Sequence, residues 1–147
     1  MLNILEILNT QTSRINFIRG LIYLSRAQEI SEVKKGIEPE ERVFLRNAMI
    51  SLSIPEKEME ELEELIDLDN IDIDLQFNNK KQALFFIREG IQVCYVDGQY
   101  TELERDMIYD MGDLLGIGKE KIVEIENWAL EGIRWVERGN KLLEVEV

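Results

Sequence analysis

The chain has 147 residues, of which 30 are acidic and 17 are basic, and its net charge is −13. This negative field repels phosphate backbones, and no dense basic patch offsets it, so we expect no nucleic-acid binding. The sequence has no histidine and a single cysteine, Cys94, which excludes a Cys/His zinc site, a disulfide within the chain and a histidine-dependent nucleophilic triad.

The hydropathy of the chain predicts a cytoplasmic protein. No apolar run approaches the roughly 20 residues that a membrane-spanning helix needs. The first ten residues, MLNILEILNT, have no basic region ahead of their apolar residues, so they do not form a secretory signal. They predict a short amphipathic helix instead. We expect no membrane insertion, and any peripheral membrane association would be made through a partner.

Apolar residues at helical spacing predict three further helices in the first half. Residues 12–28 carry a broad apolar face, and the polar residues 29–37 predict a loop. Pro39 and the acids beside it are typical of a helix start, and the predicted inward residues that follow are Phe44, Leu45, Ala48 and Leu52. Residues 56–67 predict another helix, with its inward residues at Met59, Leu62, Leu65 and Ile66.

Residues 67–79 alternate between apolar and polar side chains, which is the period of a strand. No neighbouring segment offers a second strand, so we interpret this stretch as an extended strap between the two halves of the chain.

The second half predicts three longer helices. Residues 80–96 are apolar on most faces, as is typical of a central helix. Thr101 and Glu104 form a capping-box pattern that opens a helix ending at Gly116, with inward residues at Leu103, Met107, Met111, Leu114 and Leu115. The last helix spans about 119–138 and stops at Gly139, with inward residues at Ile122, Ile125, Trp128, Ala129 and Val136. Apolar and polar residues alternate in the tail, KLLEVEV, which is compatible with an edge strand or with a free end.

The two halves repeat one another. Phe17-Ile18-Arg19 recurs as Phe86-Ile87-Arg88 at an offset of 69, and Glu41-Arg42 recurs as Glu104-Arg105 at an offset of 63. The later offset also aligns apolar residues, pairing Leu45 with Ile108, Leu52 with Leu115, Ile54 with Ile117, Met59 with Ile122 and Leu62 with Ile125. A unit this short cannot bury its apolar face alone. We therefore predict a single all-α domain over 1–147, with about seven helices in two pseudo-symmetric halves, the repeats 12–66 and 80–139.

An acidic row distinguishes the second half from the first. Its carboxylates are spaced i, i+4, i+8 and i+11 along one helix face, at Glu102, Asp106, Asp110 and Asp113. The equivalent residues of the first half are Pro39, Val43, Asn47 and Ile50. The fold therefore does not require acids here, and such a row suits a hard cation or a basic partner surface. An ordinary solvated acidic surface is the alternative interpretation.

The turn at Asp97-Gly98 lies next to the start of this row. One interpretation is structural: Asp97 and Glu104 cap helix ends, and Gly98 supplies the turn. The other interpretation is that Asp97 and Glu102 bind one cation between them. The candidate metal ligands are Asp97, Glu102, Glu104 and Asp106. Carboxylates without histidine or cysteine would select Ca²⁺, Mg²⁺ or Mn²⁺.

Two tryptophans lie on one side of the last helix, because Trp128 and Trp135 are seven residues apart. We place Trp128 in the core. For Trp135 we predict burial, with an exposed anchor for a protein partner as the alternative.

The segment from Ala83 to Leu130 resembles the TerB-like (tellurite-resistance) family. The residues that carry the resemblance are Val96-Asp97-Gly98, Glu104 and Leu115-Gly116-Ile117. In the first half Glu41 holds the glutamate position, while Gln28-Glu29 stands where the family has Asp-Gly. The resemblance implies an all-α fold of two three-helix halves and a non-catalytic module of bacterial stress-response and tellurite-resistance systems. It also implies metal binding through acidic clusters, for which Asp97 and Glu104 are the matched acids.

Our leading hypothesis is a non-catalytic, acidic TerB-like module that binds a protein partner and, in the same interpretation, a divalent cation. The alternative is a dedicated divalent-cation-binding stress protein. The third hypothesis is a carboxylate-based hydrolase, which we disfavour because the sequence has no positioned nucleophile–base pair, phosphate loop or oxyanion motif.

Overall fold

The computed structural model describes residues 3–31, 39–68, 74–96 and 100–145. Within these ranges the chain is all-α and has no strand, which confirms the predicted fold class. The seven helices are α1 (Ile4–Ile7), α2 (Gln11–Ser31), α3 (Pro39–Ser51), α4 (Glu56–Ile66), α5 (Lys80–Val96), α6 (Glu102–Leu115) and α7 (Lys119–Lys141). None of the described helices is long and apolar enough to cross a lipid bilayer.

The centre of the protein is the crossing of α2 and α5. Phe86 is fully buried, and its ring meets Phe17 edge-on, with 6.0 Å between the ring centroids. The helices approach closely here because Gly20 has no side chain: a Cβ atom at that position would lie 2.2 Å from the Phe86 ring. Helices α3, α4 and α6 pack on α2, and α1, α6 and α7 pack on α5.

A buried side-chain amide of α5 forms hydrogen bonds that hold the amino-terminal helix in place. Gln82 is completely buried, and its Nε2 donates to the Ile7 carbonyl at 3.0 Å and to Asn9 Oδ1 at 3.2 Å. Its Oε1 accepts a hydrogen bond from the Asn78 backbone amide at 2.9 Å. All polar atoms of the amide are thereby engaged, which offsets the cost of burying them.

The repeat seen in the sequence reappears in the geometry of the two halves. The α3–α4 turn and the α6–α7 turn both place a residue in the left-handed region, Ser53 with φ 55° and Gly116 with φ 73°. The following amide donates back to an equivalent carbonyl in each turn: Ile54 N to Met49 O at 3.1 Å, and Ile117 N to Gly112 O at 2.7 Å. The aligned apolar pairs are buried or partly buried in both halves.

Two helix ends differ from the sequence prediction. Helix α2 continues to Ser31, so the predicted loop over 29–37 is wrong at its start, and residues 32–38 lie outside the described ranges. Helix α7 continues through Gly139 to Lys141. Glycine ends a helix when it adopts a positive φ, and Gly139 does not. In the described part of the tail, a turn at 142–143 is followed by irregular backbone rather than an edge strand.

Several predicted core residues are exposed. Phe44 of α3 is exposed, and Met49, which lies later in the same helix and was not predicted to face inward, is buried. Leu114, Trp128 and Val136 are likewise exposed, so their assignment to the core was wrong. Helices α3, α6 and α7 carry more large apolar residues than their neighbours cover. The predicted strap is described only in part, because residues 69–73 lie outside the described ranges. Residues 74–79 have irregular backbone, and within them Leu75 is buried and the Phe77 ring stacks on Phe86.

Candidate functional site

The acidic row of α6 lies on the protein surface. Glu102, Asp106, Asp110 and Asp113 are all exposed, and within the described residues none of them takes part in an ion pair. Glu104 differs, because it is buried in the capping box. Its Oε1 accepts from the Thr101 amide at 2.9 Å and the Thr101 hydroxyl at 3.0 Å, and its own amide donates to Thr101 Oγ1 at 3.1 Å. The predicted capping box is confirmed.

The structure describes only three of the four candidate metal ligands. Asp97 and Gly98 lie outside the described residues. Among the residues that are described, no group of three or more acids or Cys could hold a metal ion. Glu104 already serves the helix cap, and Glu102 and Asp106 are exposed. The four-residue metal site therefore stays a prediction, and its test must include Asp97.

An ion pair between α6 and α7, with a buried carboxylate and a half-exposed guanidinium, is a feature that the sequence interpretation missed. Glu126 is only 4% exposed, and its Oε2 accepts a hydrogen bond from Arg105 Nε at 2.9 Å. This hydrogen bond raises the pKa of Arg105. Glu126 lies four residues after Ile122 and three before Ala129, both buried, and this spacing was the available signal for its burial.

Two tyrosines lie beside this pair. The rings of Tyr95 and Tyr100 are 4.9 Å apart between centroids, and the Arg105 guanidinium lies 5.3 Å from the centroid of the Tyr100 ring. The buried Tyr100 hydroxyl makes no hydrogen bond of good geometry within the described residues. Burial and the nearby Glu126 carboxylate raise the pKa of Tyr100, and burial also raises the pKa of Tyr95. The cluster holds α5, α6 and α7 together and leaves both phenols neutral at physiological pH.

An apolar groove opens between α5 and the second half of α7, next to Tyr95. Its volume is about 510 Å³. Its wall from α5 consists of Gln92 and Tyr95, and its wall from α7 consists of Trp128, Ala129, Gly132, Ile133, Trp135, Val136 and Glu137. The Arg88 guanidinium lies 5.4 Å from the Trp128 ring centroid. Concave surfaces of this size with aromatic walls are typical of binding sites.

Both tryptophans are exposed in this groove. Trp128 is 46% exposed and Trp135 is 71% exposed, so the predictions of core burial were wrong. The role of Trp135 as an anchor for a partner stays a prediction. Trp128 precedes Ala129, on a side of α7 that the described residues leave partly uncovered. For Trp135 the physical reason is the length of α7, which has 23 residues where its counterpart α4 has 11. Repeat equivalence aligns Ile66, the last residue of α4, with Ala129. The remainder of α7 therefore has no equivalent in the first half and is largely exposed.

Comparison of the chain with protein-family models, with curated proteins and with solved structures finds no match. The resemblance to the TerB-like family accordingly stays a prediction that depends on the motif residues of this sequence.

Proposed function

We propose that this chain is a non-catalytic helical module that binds a protein partner in the groove between α5 and α7. The observation that carries the proposal is the exposure of Trp128 and Trp135 side by side with Val136 on one helix. Contiguous exposed apolar surface rimmed by charge is typical of interaction sites, and tryptophan is among the residues that contribute most to binding energy.

The groove favours a helix as its occupant. It runs between two helices, its lining is chiefly apolar, and an apolar helix face fits such a channel through residues at i, i+3, i+4 and i+7. The polar lining residues, Gln92, Tyr95 and Glu137, do not form a nucleophile–base pair. This composition supports binding rather than catalysis.

The resemblance to the TerB-like family adds a biological setting to the proposal. In that setting the module acts in the bacterial cytoplasm, in a stress-response or tellurite-resistance system, and reaches a membrane only through its partner. The acidic row of α6 would then meet basic side chains of the partner at the edge of the contact.

Affinity capture with three purified proteins tests the proposal. The wild type is compared with Trp135→Ala, which removes an indole ring from the wall of the groove, and with Leu114→Ala, which truncates a comparably exposed apolar residue on α6. A captured protein is identified, purified and titrated against each. We expect Trp135→Ala to weaken its binding by at least about 2 kcal/mol, roughly thirtyfold, and Leu114→Ala to have little effect. Equal binding by all three proteins would contradict the proposal.

Divalent-cation binding is the second candidate function. The exposed carboxylates of Glu102 and Asp106 favour it, because within the described residues neither is committed to an ion pair. Hard cations take such oxygen ligands. Equilibrium dialysis of the purified protein against millimolar Ca²⁺, Mg²⁺ or Mn²⁺ tests this candidate directly.

A further inference from the structure

We propose that the partner in the groove is a second copy of this chain, and that the two α7 helices pair antiparallel across a two-fold axis between Ile133 and Arg134. This inference rests on the proposed function, since it names the occupant of the same groove. Paired helices related by a two-fold axis need a self-complementary surface, on which residue i of one copy meets residue j of the other and j meets i. Helix α7 has such a surface.

The exposed part of α7, together with the C-cap residue Leu142 that follows it, contains a coiled-coil seam. Its members follow the alternating spacing of four and three residues that defines the a and d positions of a heptad, and they are Trp128, Gly132, Trp135, Gly139 and Leu142. Trp128 and Trp135 occupy d positions and the two glycines occupy a positions. All five residues are exposed. The seam lies to one side of the face by which Ile122 and Ala129 pack on the bundle, so it is free to meet another helix.

Large and small residues alternate along this seam in a self-complementary order. In an antiparallel pair, each a residue packs against a d residue of the other helix. With the axis between residues 133 and 134, Trp135 faces Gly132 of the second copy and Trp128 faces its Gly139. A Cβ atom built on either glycine would meet no atom within 4 Å, so both positions offer open space to an indole ring. A parallel pair would instead place tryptophan against tryptophan and glycine against glycine, leaving gaps at the glycine layers.

The charges of this segment also favour a second copy. Residues 130–141 contain three basic and two acidic residues, a net charge of +1, whereas the whole chain carries −13. A contact between the two copies of this segment therefore avoids the repulsion between acids that a contact through the acidic row of α6 would bring. Glu131 and Arg138 occupy the g positions beside the seam, and g positions face one another in an antiparallel pair. Glu131 of each copy therefore lies opposite Arg138 of the other, which gives two ion pairs of opposite charge.

Sedimentation of the purified full chain between about 1 and 500 μM tests the pairing. We expect a monomer–dimer equilibrium, and we expect Trp135→Ala to weaken it at least about a hundredfold, because both copies lose a central anchor. Leu114→Ala, which truncates an exposed apolar residue outside the seam, should leave the equilibrium unchanged. Circular dichroism of each variant checks that the helices remain folded.

Charge exchange tests the antiparallel geometry. Glu131→Arg and Arg138→Glu each make both ion pairs repulsive, and we expect each variant to dimerise about tenfold more weakly than the wild type. Mixed one to one, the two variants should form a heterodimer, because each arginine then faces a glutamate. Both residues are exposed, so neither change should disturb the fold.

Three results would overturn the inference: a monomeric wild type at every concentration, a dimer insensitive to Trp135→Ala, or single charge variants that dimerise as strongly as the mixture. A monomeric wild type that still captured another protein through Trp135 would leave the proposed function standing. A monomeric wild type with no Trp135-dependent partner would remove both proposals.

Discussion

The ion pair between Arg105 and Glu126 should contribute far more to stability than its exposed counterpart in the first half. Arg105→Met leaves the Glu126 carboxylate, whose side chain is 5% exposed, without its cationic partner. Breaking a fully buried pair costs about 3–5 kcal/mol. Because the Arg105 side chain is 47% exposed and water reaches the site from that side, we expect a loss of about 2–3 kcal/mol. Glu126→Gln should cost only about 1 kcal/mol, since the amide oxygen still accepts from Arg105 and the guanidinium can turn to water.

The matched control is Arg46→Met. Arg46 Nη1 lies 2.6 Å from Glu63 Oε1, and Glu63 is the repeat equivalent of Glu126, but these side chains are 51% and 37% exposed. We expect its loss to cost less than about 1 kcal/mol. Urea unfolding measures the free energies, and Arg105→Met should lower the melting temperature by about 5–10 °C. If Arg105→Met costs no more than Arg46→Met, burial does not strengthen this pair and the reasoning fails.

Three further predictions address pH, backbone strain and metal. Burial and the Glu126 carboxylate raise the pKa of Tyr100, so the folded state favours the neutral phenol, and stability is retained below about pH 10 and falls as pH rises above it. Tyr100→Phe should flatten this alkaline decline by up to about 1.4 kcal/mol per pH unit in urea unfolding, and unchanged slopes would count against the assignment. Ser53→Gly should stabilise the protein by about 0.5–1 kcal/mol while Gly116→Ala destabilises it by about 1 kcal/mol, because both residues have positive φ; effects of the same sign in denaturation would refute this. Ca²⁺, Mg²⁺ or Mn²⁺ at about 100 times its dissociation constant should raise the melting temperature by about 5–10 °C in the wild type and not in Asp97→Asn; an equal shift in both proteins would exclude Asp97 as a ligand, and no shift in either would contradict cation binding.

The helices could be predicted from the sequence because helical periodicity and the repeat agree. Local apolar spacing marks where a helix forms, and α5 has the bounds that its sequence predicts. The same spacing does not show how far a neighbouring helix reaches. In α3 the apolar residues outnumber the positions that α2 can cover, so the prediction placed Phe44 in the core while the bundle buries Met49.

The groove was the part of the site that periodicity could not predict. Ile133 and Val136 continue the apolar pattern of α7 beyond Ala129, and a pattern cannot say whether this chain or another molecule covers it. The repeat held the missing signal, since the helical pattern of α4 ends at the residue equivalent to Ala129. The burial of Glu126 was missed for a related reason, because a carboxylate in a sequence is normally assigned to the solvent-exposed face of its helix. Here Arg105 of α6 approaches Glu126 of α7, and this ion pair offsets the cost of burying the carboxylate.

The differences between the halves favour the second one as the location of the proposed function. The first half also has three helices, with Val43, Asn47 and Ile50 where α6 has its acids, and with α4 ending where α7 continues for another 12 residues. The acidic row and the extension of α7 are therefore not needed to form such a unit. Both features are exposed, and the extension leaves Trp135 in solvent beside the exposed Trp128, which is unfavourable for an isolated monomer. Association that covers the extension would offset this cost, and for that reason binding through α7 explains the asymmetry between the halves better than a role in the stability of the fold.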